Sequence, residues 1–139
     1  MSGLKRLPRL SPEVWDRQGA EHYSGDQRRT PFKGAQSIGA ASMGEFLLGR
    51  IDEKYGSLSS ALDRATIKRV GFSSLHGLQA AVSADIVADK IHELAESDEL
   101  DAPTVARYKG KSYLIDGYHT LTALKLGGVK AVEAAVVSV

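Results

Sequence analysis

The stretch from Ser112 to Gly128 restricts the fold of this chain more tightly than any other. Tyr113, Leu114 and Ile115 read as the end of a buried strand, and Asp116, Gly117, Tyr118 and His119 fill a turn. Thr120 to Leu126 then continue as a short helix with Leu121 and Leu124 on one stripe, and Gly127-Gly128 ends it. A strand that turns directly into a helix leaves the first helical N–H groups without intrahelical partners. The helix dipole favours negative charge at that end, and a glycine lets a ligand come close to the backbone. The sequence therefore offers a phosphate-sized anion a binding place.

The rest of the chain must supply the core. Its 139 residues fit one domain, and a 42% hydrophobic content can build a core unaided by disulfides or metals. With no cysteine there is no thiol nucleophile, disulfide framework or thiolate metal site. Neither a signal-type apolar segment nor a membrane-length run is present, so the expectation is a soluble protein, cytoplasmic or, for a phage structural component, virion-borne. Net charge is +1, short of the basic excess typical of a nonspecific nucleic-acid binder. Residues 1–40 carry seven bases against four acids, and the remainder eleven against thirteen, so the basic character belongs to the N-terminal arm.

That arm, with Pro8, Pro12 and Pro31 and no sustained period, is expected to be mostly extended or irregular. Pro12 to Trp15 forms at most a helical turn, with Ser11 as N-cap. Trp15, Tyr23 and Phe32 favour packing, either on the chain itself or on a neighbouring subunit. Residues 41–65 read as a helical hairpin. Ser42 and Glu45 have capping-box spacing, Leu47, Ile51 and Tyr55 recur at four-residue steps, and Gly56 follows as a stop. Ser57 to Ala65 is the second helix.

Residues 66–139 form the main unit. Thr66 to Val70 predicts a short strand and Gly71 to Gly77 a loop, and Ser83 caps a helix with Ile86, Val87, Ile91 and Leu94 on one face. An acidic loop, Glu96 to Asp101, precedes a β-hairpin of Thr104 to Tyr108 and Ser112 to Ile115 turning at Lys109-Gly110-Lys111. Ala131 to Val139 is the last strand. Arg107, Lys109 and Lys111 make a small basic edge, a pattern that is usually a solvated turn tip.

In the order Leu78-Gln79, helix, hairpin, Asp116-Gly117-Tyr118-His119, short helix with Ala123, glycine stop and valine-rich strand, residues 66–139 resemble the ParB/sulfiredoxin-like fold, especially the short ParB-like domains of phages and mobile elements. The resemblance implies an α+β fold, a small mixed sheet with flanking helices, preceded here by the helical hairpin and the arm. Two departures narrow it. Sulfiredoxins carry a cysteine where this chain has Tyr118, so sulfinic-acid repair lacks its nucleophile. CTP-using partition proteins carry Gly-x-Arg-Arg, where this chain has His119 and Thr120 instead of paired guanidinium groups.

The resemblance implies a phosphate or nucleotide pocket, with Mg2+ accompanying the nucleotide, formed by Gly117, Tyr118, His119, Thr120 and Thr122. Gln79 reaches in from a facing loop, and Asp116 orients the turn or helps hold a metal. Asp116 and His119 are the candidates for any catalysis, and His119 can meet a phosphate as neutral donor or cation. Read without the resemblance, Asp116 is equally a cap or Asx-turn residue and Gly117 a positive-φ residue. No histidine pair has metal-ligand spacing. Two other functions stay open: a structural or assembly protein whose arm contacts other subunits, and a DNA-binding protein or nuclease, for which Asp116 is the one well-placed acid.

Overall fold

The computed structural model describes residues 22–24, 27–96 and 102–139. It is an α+β fold whose main sheet has five strands in the order β3 (Thr66–Gly71), β8 (Ala131–Ser138), β6 (Thr104–Tyr108), β7 (Lys111–Asp116), β4 (Leu75–His76). The outer strand β3 and the hairpin β6–β7 pair antiparallel, whereas β8 with β6 and β7 with β4 pair parallel, so the sheet is mixed as expected. Tyr108 pairs with Lys111 across a two-residue turn in which Lys109 and Gly110 have φ of 48° and 78°. Two successive positive φ values match the right-handed twist of the strands, and the glycine accommodates one of them without strain.

Both faces of this sheet are covered. On one lie α3 (Ala84–Glu96) and α4 (Tyr118–Leu126), whose Val87, Ile91, Leu121 and Leu124 pack with Val105, Leu114 and Val136. On the other lie α1 (Ala40–Tyr55) and α2 (Leu58–Asp63), where Ile51 and Ala61 meet Ala106 and Val137. Alternation along the strands explains the division: neighbours such as Val105 and Ala106, or Val136 and Val137, point to opposite faces and both are buried. Two-sided cover accounts for the valine-rich reading of the last strand.

The helices follow the sequence closely, except that α1 and α4 start earlier than expected. Helix α1 begins at Ala40, two residues before Ser42; its N-cap is Gly39 with no side-chain cap bond, so the Ser42–Glu45 capping box does not form. Gly56 ends the helix at φ 87°, its N–H bonded to the Asp52 carbonyl. Ser57 caps α2 by accepting from the Ser60 amide. The segment 71–77 is more ordered than a loop, with a 3-10 turn at Phe72–Ser74 followed by β4.

The largest departure concerns the arm. Its C-terminal part belongs to the fold: β2 (Gln27–Arg29) pairs on one side with β1 (His22–Ser24) and on the other with β5 (Ala81–Ser83), forming a second, three-stranded sheet. Phe32 is 3% exposed and meets Phe72 and Tyr118 edge to face, so it fills this chain's own core rather than a neighbour's. Gly77 admits this segment: a Cβ there would stand 2.7 Å from the Cβ of Ala35. The Pro12–Trp15 turn and residues 97–101 of the acidic loop lie outside the described residues.

Candidate functional site

The turn after β7 is built around Gly117. At φ 104° and ψ 21° it takes the left-handed conformation, and its α-carbon passes so close to Pro103 that an added Cβ would lie 2.9 Å from that ring. The reversal starts α4 at Tyr118, two residues earlier than the sequence predicted. Asp116 holds the turn: its Oδ1 accepts the Gly117 N–H at 2.9 Å. The Gly117 carbonyl accepts from the Leu121 amide at 2.9 Å, the first bond of the helix. The amides of Tyr118, His119 and Thr120 have no hydrogen-bond partner among the described residues. They are the orphan donors of a helix N-terminus.

These residues line a concavity of about 270 Å3, closed on the other sides by Lys90 of α3, Ala102 and Pro103. Among the described residues Lys90 brings the one cationic side chain of the lining; its partner Glu93, at 3.3 Å, is a largely exposed i,i+3 contact that does little to neutralise it. His119 is fixed from outside the turn. Its Nε2 accepts the Ser83 N–H at 3.2 Å, which assigns the proton of the neutral ring to Nδ1. Burial, and next the charge of Lys90, hold its pKa below the ordinary histidine value. Of the two forms the sequence allowed, the neutral donor is the one this environment favours.

Lowered histidine pKa values make stability depend on pH with a definite sign. The unfolded chain takes up protons first as pH falls below about 6.5, so this contribution is complete above that value and is lost as pH falls through the lower folded value. His76 is shifted the same way, by burial and then by Lys33 and Lys111. Melting temperature is therefore expected to hold steady from pH 8 to 7 and to fall by pH 5.5. In His119→Gln the fall is smaller, and it is smaller again when His76→Gln is added. An undiminished fall in the double variant would assign the titration elsewhere.

Three residues expected at the site are engaged elsewhere. Tyr118 is 4% exposed, and its hydroxyl donates to the Leu114 carbonyl while accepting the Leu78 N–H at 2.6 Å. Burial pushes that phenol up to about 12, against the opposing pull of the Leu78 and Gln79 amides. Thr122 is 1% exposed and donates to the Tyr118 carbonyl, the back-bond usual for a threonine inside a helix. Gln79 donates to the Ala81 carbonyl two residues on, and it does not line the concavity. Tyr118 contributes its backbone, while Thr122 and Gln79 contribute architecture. The set brought together is Asp116, Gly117, His119 and Thr120, joined by Lys90, which the sequence did not single out, and by Ser83, which the sequence marked only as a helix cap. Lys90 looked like any solvated residue on the polar face of a helix, and Ser83 acts through a backbone N–H that no motif marks.

No group of three or more histidine, aspartate or glutamate side chains capable of holding a metal ion occurs among the described residues. No helix among them is long and apolar enough to cross a membrane. Comparison with protein-family models, with curated proteins and with solved structures gives no match.

Proposed function

We propose that this protein is a phosphate- or nucleotide-binding module of ParB/sulfiredoxin-like type, related to the short forms of phages and mobile elements, with its site at the start of α4. One observation carries the reading: three consecutive amides, Tyr118 to Thr120, lack partners among the described residues and border a concavity that also holds Lys90 and the neutral ring of His119. Such a group donates hydrogen bonds from fixed directions and adds a helix dipole and one cation. At about 270 Å3 the space is just under the roughly 300–1,000 Å3 of sites that enclose a drug-sized ligand, which suits a phosphate chain better than a whole nucleotide. The nucleoside then lies largely outside, and selectivity among bases is low.

Asp116 refines the ligand class. Its exposed carboxylate beside the amides opposes a bare polyanion, and a Mg2+ carried by the phosphates turns that opposition into attraction. A nucleotide with Mg2+ therefore fits better than free phosphate. An assembly role for the whole arm has less support, since Phe32 is committed to the chain's own core. A metal nuclease has less still, with Asp116 the one acid lining the concavity among the described residues.

Calorimetry tests this directly. Magnesium complexes of ATP, GTP and CTP are expected to bind with similar micromolar to millimolar affinity. Lys90→Gln weakens each about fivefold, the scale of one partly exposed charge contact, and His119→Ala with Thr120→Ala weakens them further. The absence of heat with all three nucleotides would refute the proposal.

A further inference from the structure

On the opposite face of the sheet, at the hairpin end, cations and aromatic rings alternate in one row. Lys33 forms a parallel bridge with His76, which pairs in register with Tyr113, their rings 5.2 Å apart and tilted by 34°. Bridge partners point to the same face, and so does Lys111, two residues before Tyr113. Lys111 is paired with Tyr108 across the hairpin. The Tyr108 ring takes Lys109 at 5.4 Å and Arg50 at 5.5 Å, and Phe46 of α1 meets its edge at 5.3 Å. Arg50 also stands 6.0 Å from the Phe46 ring.

Two properties separate this row from an ordinary polar surface. Lys33, Arg50, Lys109 and Lys111 are exposed, and none has an ion pair among the described residues. Phe46 is 44% exposed, although its neighbour Leu47 and Ile51, five residues on, are fully buried. The environment along the row is positive enough that, after burial, Lys33 and Lys111 hold the pKa of His76 below the ordinary histidine value. Beyond Arg50, Glu53 lines the next hollow with Lys54 and Val139 and marks the end of the row.

We infer that this row is a binding track for single-stranded nucleic acid. Unpaired cations neutralise phosphates, and the exposed ring of Phe46 with the half-buried rings of Tyr108 and His76, the latter backed by buried Tyr113, offers stacking that tolerates any base, the combination by which single strands are held without sequence preference. Summed over strand and cross-strand spacings the row is about 20 Å long, room for about four nucleotides, the lower end of single-strand site sizes. A duplex hides its base faces and gains only the charges. The track lies apart from the concavity at α4 and does not depend on nucleotide binding there.

Fluorescence anisotropy of a labelled twelve-residue oligothymidylate with the full-length protein at low salt tests the inference. Wild type is expected to bind it more tightly than a duplex of equal length. The variant Arg50→Gln/Lys109→Asn/Lys111→Gln, with the N-terminal arm intact, is expected to lose at least about tenfold in affinity, and its log–log salt slope to shrink by about 2. Phe46→Ala is expected to lose about tenfold with the salt slope unchanged. Circular dichroism melts establish that each variant is folded. Undetectable wild-type binding, duplex binding as tight as single-strand binding, or full wild-type affinity in the triple variant would overturn it. So would displacement of the oligonucleotide by an acidic glutamate–tyrosine copolymer as readily as by unlabelled oligothymidylate, since the track would then suit acidic peptides.

Discussion

Gly117→Ala is expected to lower the stability of the protein by about 3 kcal/mol, from left-handed backbone strain together with overpacking. Both sources act at once. The residue sits at φ 104°, where an L side chain is strained whatever the space, and the new methyl would stand 2.9 Å from the Pro103 Cβ and 3.3 Å from its Cα. Neither atom is the free end of a flexible side chain, so relief requires moving the start of β6 or the start of α4. For a domain of this size the loss corresponds to a fall in melting temperature of about 10 °C. Chemical denaturation gives the free energy directly, and a loss below about 1 kcal/mol would mean that the turn relaxes easily, contrary to its packing against Pro103. Because the same displacement moves the Tyr118 to Thr120 amides, nucleotide binding is expected to fall with it.

Tyr118→Phe separates fold from site. The ring and its edge-to-face contact with Phe32, at 5.9 Å and 79°, are retained, while the hydroxyl that joins Leu78 to Leu114 is lost. That hydroxyl is the partner of the Leu78 N–H, and a buried donor left without one costs about 1–3 kcal/mol. About 2 kcal/mol is expected here, and the reach from β7 to the loop before β5 loosens accordingly. Nucleotide affinity should change little, because the hydroxyl faces the core, bonded to Leu78 and Leu114. A large loss of affinity with little loss of stability would restore the tyrosine side chain to the site.

Local signals explain what the sequence made legible. The hairpin was readable because Tyr108 and Lys111 flank a two-residue turn containing Gly110, and α1 because Leu47 and Ile51 repeat at one turn and Gly56 stops it. Short strands paired over long separations carry no such period. The pairing of residues 27–29 with residues 81–83 leaves only three residues on each side, too few to show alternation, and its partner lies over fifty positions away. The arm therefore read as loose chain although Arg28, Thr30 and Phe32 are buried.

The candidate site was legible in its backbone and less so in its side chains. Asp116 and Gly117 are turn residues by type, and the structure uses them that way, with a carboxylate on the next amide and a left-handed glycine. Side chains next to a turn alternate between core and solvent according to where the helix begins. Starting α4 at Tyr118 rather than Thr120 turns Tyr118 and Thr122 inward and leaves His119 and Thr120 at the concavity. Gln79 had a carbonyl to satisfy it two residues on, which only coordinates reveal.

The most direct measurement is a 1H–15N correlation spectrum of labelled protein titrated with MgATP. If the start of α4 receives phosphates, the amide resonances of Tyr118, His119 and Thr120 shift saturably and furthest, with smaller shifts for Ser83 and Lys90. If those three amides stay in place at millimolar ligand, or the shifts gather elsewhere on the molecule, this helix end is not a phosphate site.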